Sequence, residues 1–322
     1  MKVYVNNTIE RRLMRLAGPW LGELGRRVEF FIRCRLHKAE YKAFIVERMQ
    51  TRPFPLFDFI EIETINRCNG VCGFCPVSRQ NDIRPLRLMS EEMFRSIIRQ
   101  LRALNYSGHI TLHSNNEPLL DKRMVRFCEH VRRELPNAFF VLYTNGILLT
   151  PEIFEELAGS LTQLVIDNYV SDDSYVNLIK PVRELYDRFR HDKRYDNVLV
   201  QVRDVNEVFY SRGGRSPNRR RLAVSTDCPC TLPYRQMVIR PDGKTSLCCC
   251  DALGEITLGD VKEMSLVEIW NNDRSVKVRT EMLRGRADLK LCRSCDAVEV
   301  GNVKRPASEW PDCSPPGVNQ FT

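Results

Sequence analysis

The stretch FDFIEIETINRCNGVCGFC, residues 57–75, decides how the rest of the chain is read. Its first half alternates apolar and polar side chains over residues 57–65, the period-two pattern of a strand with one buried face. Its second half sets Cys68, Cys72 and Cys75 in a CxxxCxxC spacing on the loop that leaves this strand. Three thiolates so spaced suit a [4Fe–4S] cube: they ligate three irons and leave the fourth open to another ligand. A structural zinc site asks for a fourth protein ligand, and none stands nearby. Gly70 and Gly73 let the loop wrap closely around what it holds, and Phe74 is placed to shield it.

Strand and helix go on alternating downstream. Ser90 is placed to cap a helix running to about Leu104, with Glu91 and Glu92 in the first turn, where the helix dipole favours acid. Residues 109–113, 138–143, 161–167 and 198–203 read as strands. Residues 121–135, a segment entered by Pro151, and residues 181–190 read as helices. This order predicts parallel βα units in an open sheet or partial barrel, with the loops that follow the strands gathered on one rim. Residues 1–50 read as helical, with Ile9, Leu13, Leu16, Trp20, Leu21 and Leu24 at helical spacing, and Pro53 and Pro55 end the segment. Such a basic amphipathic segment either packs on the main domain or lies on a membrane or partner surface. Beyond residue 205 come a Gly/Pro/Arg loop at 212–221, a hairpin around Pro241-Asp242-Gly243, helices at 266–271 and 276–283, and a Pro-rich tail. The expected division is a helical extension (1–54), a βα core (55–222), a cysteine-rich hairpin-and-helix domain (223–302) and an irregular tail (303–322).

With 322 residues, 43% hydrophobic and 28% charged, the composition is globular and excludes a wholly disordered chain or a collagen. No apolar run reaches the roughly 20 residues that span a bilayer. The N-terminus shows no apolar signal region, so a cytoplasmic protein is expected. The formal charge is +8, mostly an arginine excess; without an RNP-like or zinc-finger pattern it predicts no nucleic-acid partner. Thirteen cysteines, an odd number without an export signal, favour metal or redox use over a disulfide scaffold.

Besides the first three, the cysteines group as Cys228, Cys230, Cys248, Cys249 and Cys250, then Cys292 and Cys295; Cys34, Cys128 and Cys313 stand apart. Two independent knuckles, a zinc ribbon or plain buried thiols would each account for the pairs. The hairpin between Cys230 and Cys248 favours a single four-cysteine site closed by the distant CxxC. If the second hairpin strand runs on through Cys250, Cys248 and Cys250 share one face and Cys249 takes the other. Cys249 is then either a small core residue or a thiol facing a cavity.

With CxxxCxxC directly after its first strand, the chain resembles the radical S-adenosylmethionine (SAM) superfamily. Asn115-Asn116-Glu117-Pro118 is similar to the family's GGEP, with Asn-Asn in place of Gly-Gly, and Thr144-Asn145-Gly146 is similar to its TNG. The resemblance implies an α/β fold with a partial (β/α)6 barrel and a SAM-binding [4Fe–4S] cluster on Cys68, Cys72 and Cys75. It implies that Glu117 takes the SAM ammonium group, that Asn116 and Asn145 lie beside SAM, that Asp167 and Asn168 meet the ribose, and that Arg203 pairs with the carboxylate. The later cysteines, with LVEIWN at 266–271, resemble the auxiliary-cluster module of SPASM-type members in its shortened twitch form. That implies one auxiliary [4Fe–4S] cluster on Cys230, Cys248, Cys292 and Cys295, with Cys228 the alternative first ligand.

Such enzymes use one electron, from an external reductant such as a flavodoxin or ferredoxin, to cleave SAM into a radical that abstracts hydrogen. The shortened module is familiar from members acting on aminocyclitols and aminoglycosides. The expectation is therefore epimerisation of an aminoglycoside sugar carbon in antibiotic biosynthesis, with Cys249 returning hydrogen from the opposite face. The alternatives are a dehydrogenase making a ketone from a cyclitol or sugar alcohol, a peptide-modifying enzyme, and an iron–sulfur electron carrier. An electron carrier needs neither an open iron nor a carboxylate at Glu117. A polycationic substrate asks for a local acidic site, for which Asp167, Asp172, Asp173, Asp251 and Glu255 are candidates.

Overall fold

The structure, a computed structural model, describes residues 1–5, 8–171, 177–219 and 227–297, with side chains of the first helix described from Leu21 onward. In chain order the elements are β1 (Lys2–Val5), α1 (Thr8–Gln50), β2 (Phe59–Ile62), α2 (Glu91–Ala103), β3 (His109–Thr111), α3 (Met124–Glu134), β4 (Phe139–Thr144) and α4 (Pro151–Ser160). They continue with β5 (Gln163–Val170), α5 (Lys180–Phe189), β6 (Val198–Asp204), β7 (Gln236–Ile239), β8 (Lys244–Ser246), β9 (Thr257–Asp260), α6 (Leu266–Asn271) and α7 (Asp273–Arg284). Local chemistry sets several boundaries: the Ser90 hydroxyl accepts from the Met93 N–H, and Thr150 caps α4 with Pro151 in its first turn.

The strands form one sheet in the order β1-β6-β5-β4-β3-β2-β7-β8-β9. Every pair from β1 to β7 is parallel, and the last two pairs are antiparallel. The hairpin of the cysteine-rich region thus extends the βα sheet, β7 pairing directly with β2. Side chains alternate, so the register separates two faces. Ile60, Ile62, Ile110, Phe140, Leu164 and Val200 belong to the main core, together with Phe94 of α2, Phe127 of α3, Phe154 of α4 and Leu185 of α5. The other face carries Glu61 opposite Thr111 and Asp167 opposite Gln201, so the inner side of the curved sheet is polar.

Three expectations change. Residues 2–5 are a parallel edge strand beside β6, not part of a helix; a four-residue strand is too short to announce itself next to a long helical pattern. Cys34 is disulfide-bonded to Cys228, which takes Cys228 out of the candidate ligands and places a disulfide where none was expected. Composition cannot reveal that α1 folds back onto the cysteine-rich loop, where Phe30, Cys34, Tyr41 and Cys228 pack together. Finally, the strand before the cysteine triplet stops at Ser246, and residues 247–250 form a turn, so strand alternation does not orient Cys249. Helix α1 buries Phe30, Cys34, Tyr41 and Ile45 against the body of the protein while leaving Leu24, Val28, Phe31 and Leu36 exposed. Among the described residues no helix is long and apolar enough to cross a membrane. Asp172 and Asp173, Cys313 and the expected tail at 303–322 lie outside the described residues.

Candidate active site

At the rim where β2 to β5 end, Cys68, Cys72 and Cys75 line one cavity with Asn116, Glu117, Asn145, Asp167 and Arg212. The cavity measures about 580 Å³ with its open mouth included. Gly70 forms its floor between two of the thiols: a Cβ there would lie 3.3 Å from the Cys68 sulfur and 3.9 Å from that of Cys72. Its own N–H points at the Cys68 sulfur, 3.3 Å away. Burial holds the Cys68 and Cys72 thiols up at about 12, so a cation is needed to draw out their thiolates. Among the described residues no three His, Cys, Asp or Glu side chains close on one point as ligands of a single ion would. Thiols spread around a roomy cradle suit the corners of a cube-shaped cluster better than one zinc ion.

Glu117 is buried and well held. Its Oε1 accepts from the Thr144 hydroxyl at 2.7 Å and the Leu119 N–H at 3.0 Å, and its Oε2 accepts from the Asn145 N–H at 2.7 Å. Burial still pushes its carboxyl up to about 7. Asp167 is raised to about 6 for the same reason. Several buried atoms around the cavity make no hydrogen bond among the described residues: Asn116 Nδ2, Asp167 Oδ1 and His113 Nδ1. They leave hydrogen-bonding capacity for a polar ligand, as SAM beside a cluster would require. Asn168 faces away, donating to the Asn177 carbonyl and accepting from the Ile179 N–H.

Arg203 sits near this group but is occupied. Its Nε and Nη2 donate to Glu207, its Nη1 lies 3.9 Å from Asp167, and its guanidinium covers Phe209. The guanidinium that lines the cavity belongs to Arg212, which donates to Asn115 Oδ1 at 2.7 Å. Arg212 enters on a turn with left-handed backbone at Arg212, Gly213 and Gly214 (φ 46°, 63° and 77°), and a side chain on Gly213 would collide with Leu291. The sequence marked this stretch as a loop; its glycine pair beside an arginine was the signal available. Asp251 and Glu255 do not face the cavity: Asp251 accepts from the Glu255 and Ile256 N–H groups, and Glu255 pairs with Arg215.

The second cysteine group is buried in its own core with Tyr234, Leu247 and Leu291. Cys230, Cys248, Cys292 and Cys295 all belong to that core, and Cys250 joins them in hydrogen-bond reach of Cys248, Cys249 and Cys295. Arg286, 1% exposed, faces these thiols. It donates to the carbonyls of Cys228, Cys295 and Ala297 at 2.9, 2.7 and 2.8 Å, and its guanidinium lies over Phe30 of α1. Hydrogen bonding from Cys250, with Arg286 nearby, pulls the Cys295 thiol down to about 6. Cys249 packs against this second core, outside the lining of the first cavity; its thiol is lowered to about 7, first by a hydrogen bond from Cys250 and then by Arg212.

Two family models match the chain: the radical SAM superfamily over residues 62–199 and the SPASM iron–sulfur cluster-binding domain over residues 228–296. A curated relative is the S-adenosyl-L-methionine-dependent 2-deoxy-scyllo-inosamine dehydrogenase of Niallia circulans. It is 28% identical over 248 residues, which make up 76% of this chain and 95% of the relative. The solved structure of BtrN in complex with AdoMet and 2-DOIA matches with a TM-score of 0.65 at 25% identity, over 76% of this chain and 94% of that one. The anSMEcpe structure with bound AdoMet shares the fold, with a TM-score of 0.50 at 14% identity over 79% of this chain and 88% of its own.

Proposed function

Because the chain belongs to the radical SAM superfamily and carries a SPASM-type iron–sulfur domain, we propose that it inverts one carbon of an aminoglycoside or related amino sugar. Its cofactors are SAM and [4Fe–4S] clusters, one of them auxiliary. When bound, they supply a 5′-deoxyadenosyl radical able to take hydrogen from an unactivated C–H, and a one-electron store. Cys68, Cys72 and Cys75 would hold the first cluster. Cys230, Cys248, Cys292 and Cys295 would hold the auxiliary one, with Cys250 a fifth thiol beside it. Glu117 receives the SAM ammonium group, with Asn116 and Asn145 flanking it and Asp167 at the ribose. The carboxylate goes to Arg212, since Arg203 is engaged by Glu207.

The observation that carries the inversion is the position of Cys249. It is a thiol outside the proposed ligand set, and its carbonyl accepts from Asn115, a residue of the cavity wall. From there it gives a hydrogen atom to the substrate carbon radical: the S–H bond breaks as the new C–H bond forms. The sulfur radical left on Cys249 regains a thiol by taking one electron from an external reductant and one proton from solvent. Cys249→Ala tests this. The variant should still release 5′-deoxyadenosine while forming no inverted product, and full product formation would refute the assignment. The name of the curated relative favours a second reading, oxidation of a sugar or cyclitol alcohol to a ketone, in which Cys249 gives no hydrogen. In that case Cys249→Ala would leave ketone formation intact.

A further inference from the structure

The backbone of Cys249 is held on both sides of its Cα, by Gln236 of β7 and by Asn115 of the loop that follows β3. Its N–H donates to Gln236 Oε1 at 3.0 Å, and its carbonyl accepts from Asn115 Nδ2 at 3.1 Å. Asn115 cannot turn its amide around, because its Oδ1 accepts from Arg212 at 2.7 Å and a guanidinium only donates; Gln236 is oriented by its Nε2 donating to Glu61 Oε1 at 2.7 Å. The carboxylates behind this arrangement are Glu61 on β2 and Glu63, two residues further on. Glu61 holds Gln236, and Glu63 Oε1 accepts from the Asn115 N–H at 2.6 Å.

We propose that Gln236 and Asn115 are positioning residues that fix the Cys249 peptide, so that the thiol presents its hydrogen from one direction. The proposal rests on Cys249 being the hydrogen donor. Three consecutive cysteines in a turn have no strand ladder to hold them, so one bond on each side of the Cys249 Cα supplies the missing constraint. The same contact gives Asn115 a purpose where the GGEP-like motif would place glycine, because a glycine has no side chain to reach Cys249.

The test compares product formed per 5′-deoxyadenosine released, using anaerobically reconstituted full-length protein and a 2-deoxystreptamine aminoglycoside. Gln236→Leu removes the acceptor for the Cys249 N–H. Asn115→Asp keeps an acceptor for Arg212 and removes the donor to the Cys249 carbonyl. Gln236→Leu and Asn115→Asp should each lower the ratio about tenfold, as loss of one buried hydrogen bond and a misplaced reacting group would. An unchanged ratio in Gln236→Leu, or in Asn115→Asp if the former does not fold, overturns the clamp. Full inversion by Cys249→Ala would instead overturn the donor assignment beneath it, so the two failures are distinguishable.

Discussion

Arg286→Met removes a guanidinium and leaves side-chain volume nearly unchanged. Three backbone carbonyls, those of Cys228, Cys295 and Ala297, then lose their donors in a buried site. Each stranded carbonyl costs about 1–3 kcal/mol, so roughly 3–6 kcal/mol is expected once partial relaxation is allowed. That is a large share of a typical folding free energy of about 5–15 kcal/mol. The loss is local, because the three carbonyls flank Cys230 and the Cys292–Cys295 pair. It also removes the positive charge facing those thiols. Anaerobically reconstituted variant protein should therefore lose about half its iron while keeping the SAM-responsive signal of the first cluster in electron paramagnetic resonance. Its thermal midpoint before reconstitution should fall by roughly 5 °C or more. Arg286→Lys keeps the charge but not the three-way fork, so it should fall between the two. Full iron content together with an unchanged midpoint would refute the role given to Arg286.

Gly70→Ala puts a methyl group 3.3 Å from the Cys68 sulfur without straining the backbone, so the empty protein should fold normally. Overpacking of about 1–3 kcal/mol should weaken loading of the first cluster about tenfold in an iron titration; normal loading would show that the cradle is not where the cluster sits. Asp167 has its folded-state pKa raised to about 6 by burial, with its side chain only 17% exposed. Such a group favours the folded state below its unfolded pKa, and that contribution disappears as pH rises through the folded value. Asp167→Asn should accordingly stabilise the cofactor-free protein by about 2–3 kcal/mol at pH 7.5 and hardly at all near pH 3.5, as read by denaturant melts at the two pH values. Equal effects at both would contradict the burial argument. Proteolysis without reductant should yield peptides of Cys34 and Cys228 joined as one mass that separates on reduction; two free peptides from protein purified with thiols blocked would contradict the pairing.

Much of the fold was legible because its signals are local. The Ser90 cap, Pro151 at the head of α4, the apolar runs of the buried strands and the Pro-Asp-Gly turn each lie within a few residues of what they determine. The cavity was legible in part for the same reason, since Cys68, Glu117 and Asn145 follow the ends of successive strands and Asp167 lies within the next one. What was missed depends on contacts between distant segments. Arg212 meets Asn115 across 97 positions, Arg286 meets Cys228 across 58, and Cys34 reaches Cys228 across 194. No periodicity in either partner encodes those meetings. Cys249 is the instructive case: strand alternation set it apart from its neighbours, yet a turn places it, and Gln236 and Asn115 hold it there.

The decisive measurement is the mass of the product made from an aminoglycoside panel in deuterium oxide by protein carrying both clusters. Inversion through a solvent-exchanged Cys249 thiol should give a product of unchanged oxidation state bearing one deuterium at a carbon. A product lighter by two hydrogens and free of carbon-bound deuterium would contradict the inversion and make the chain a dehydrogenase.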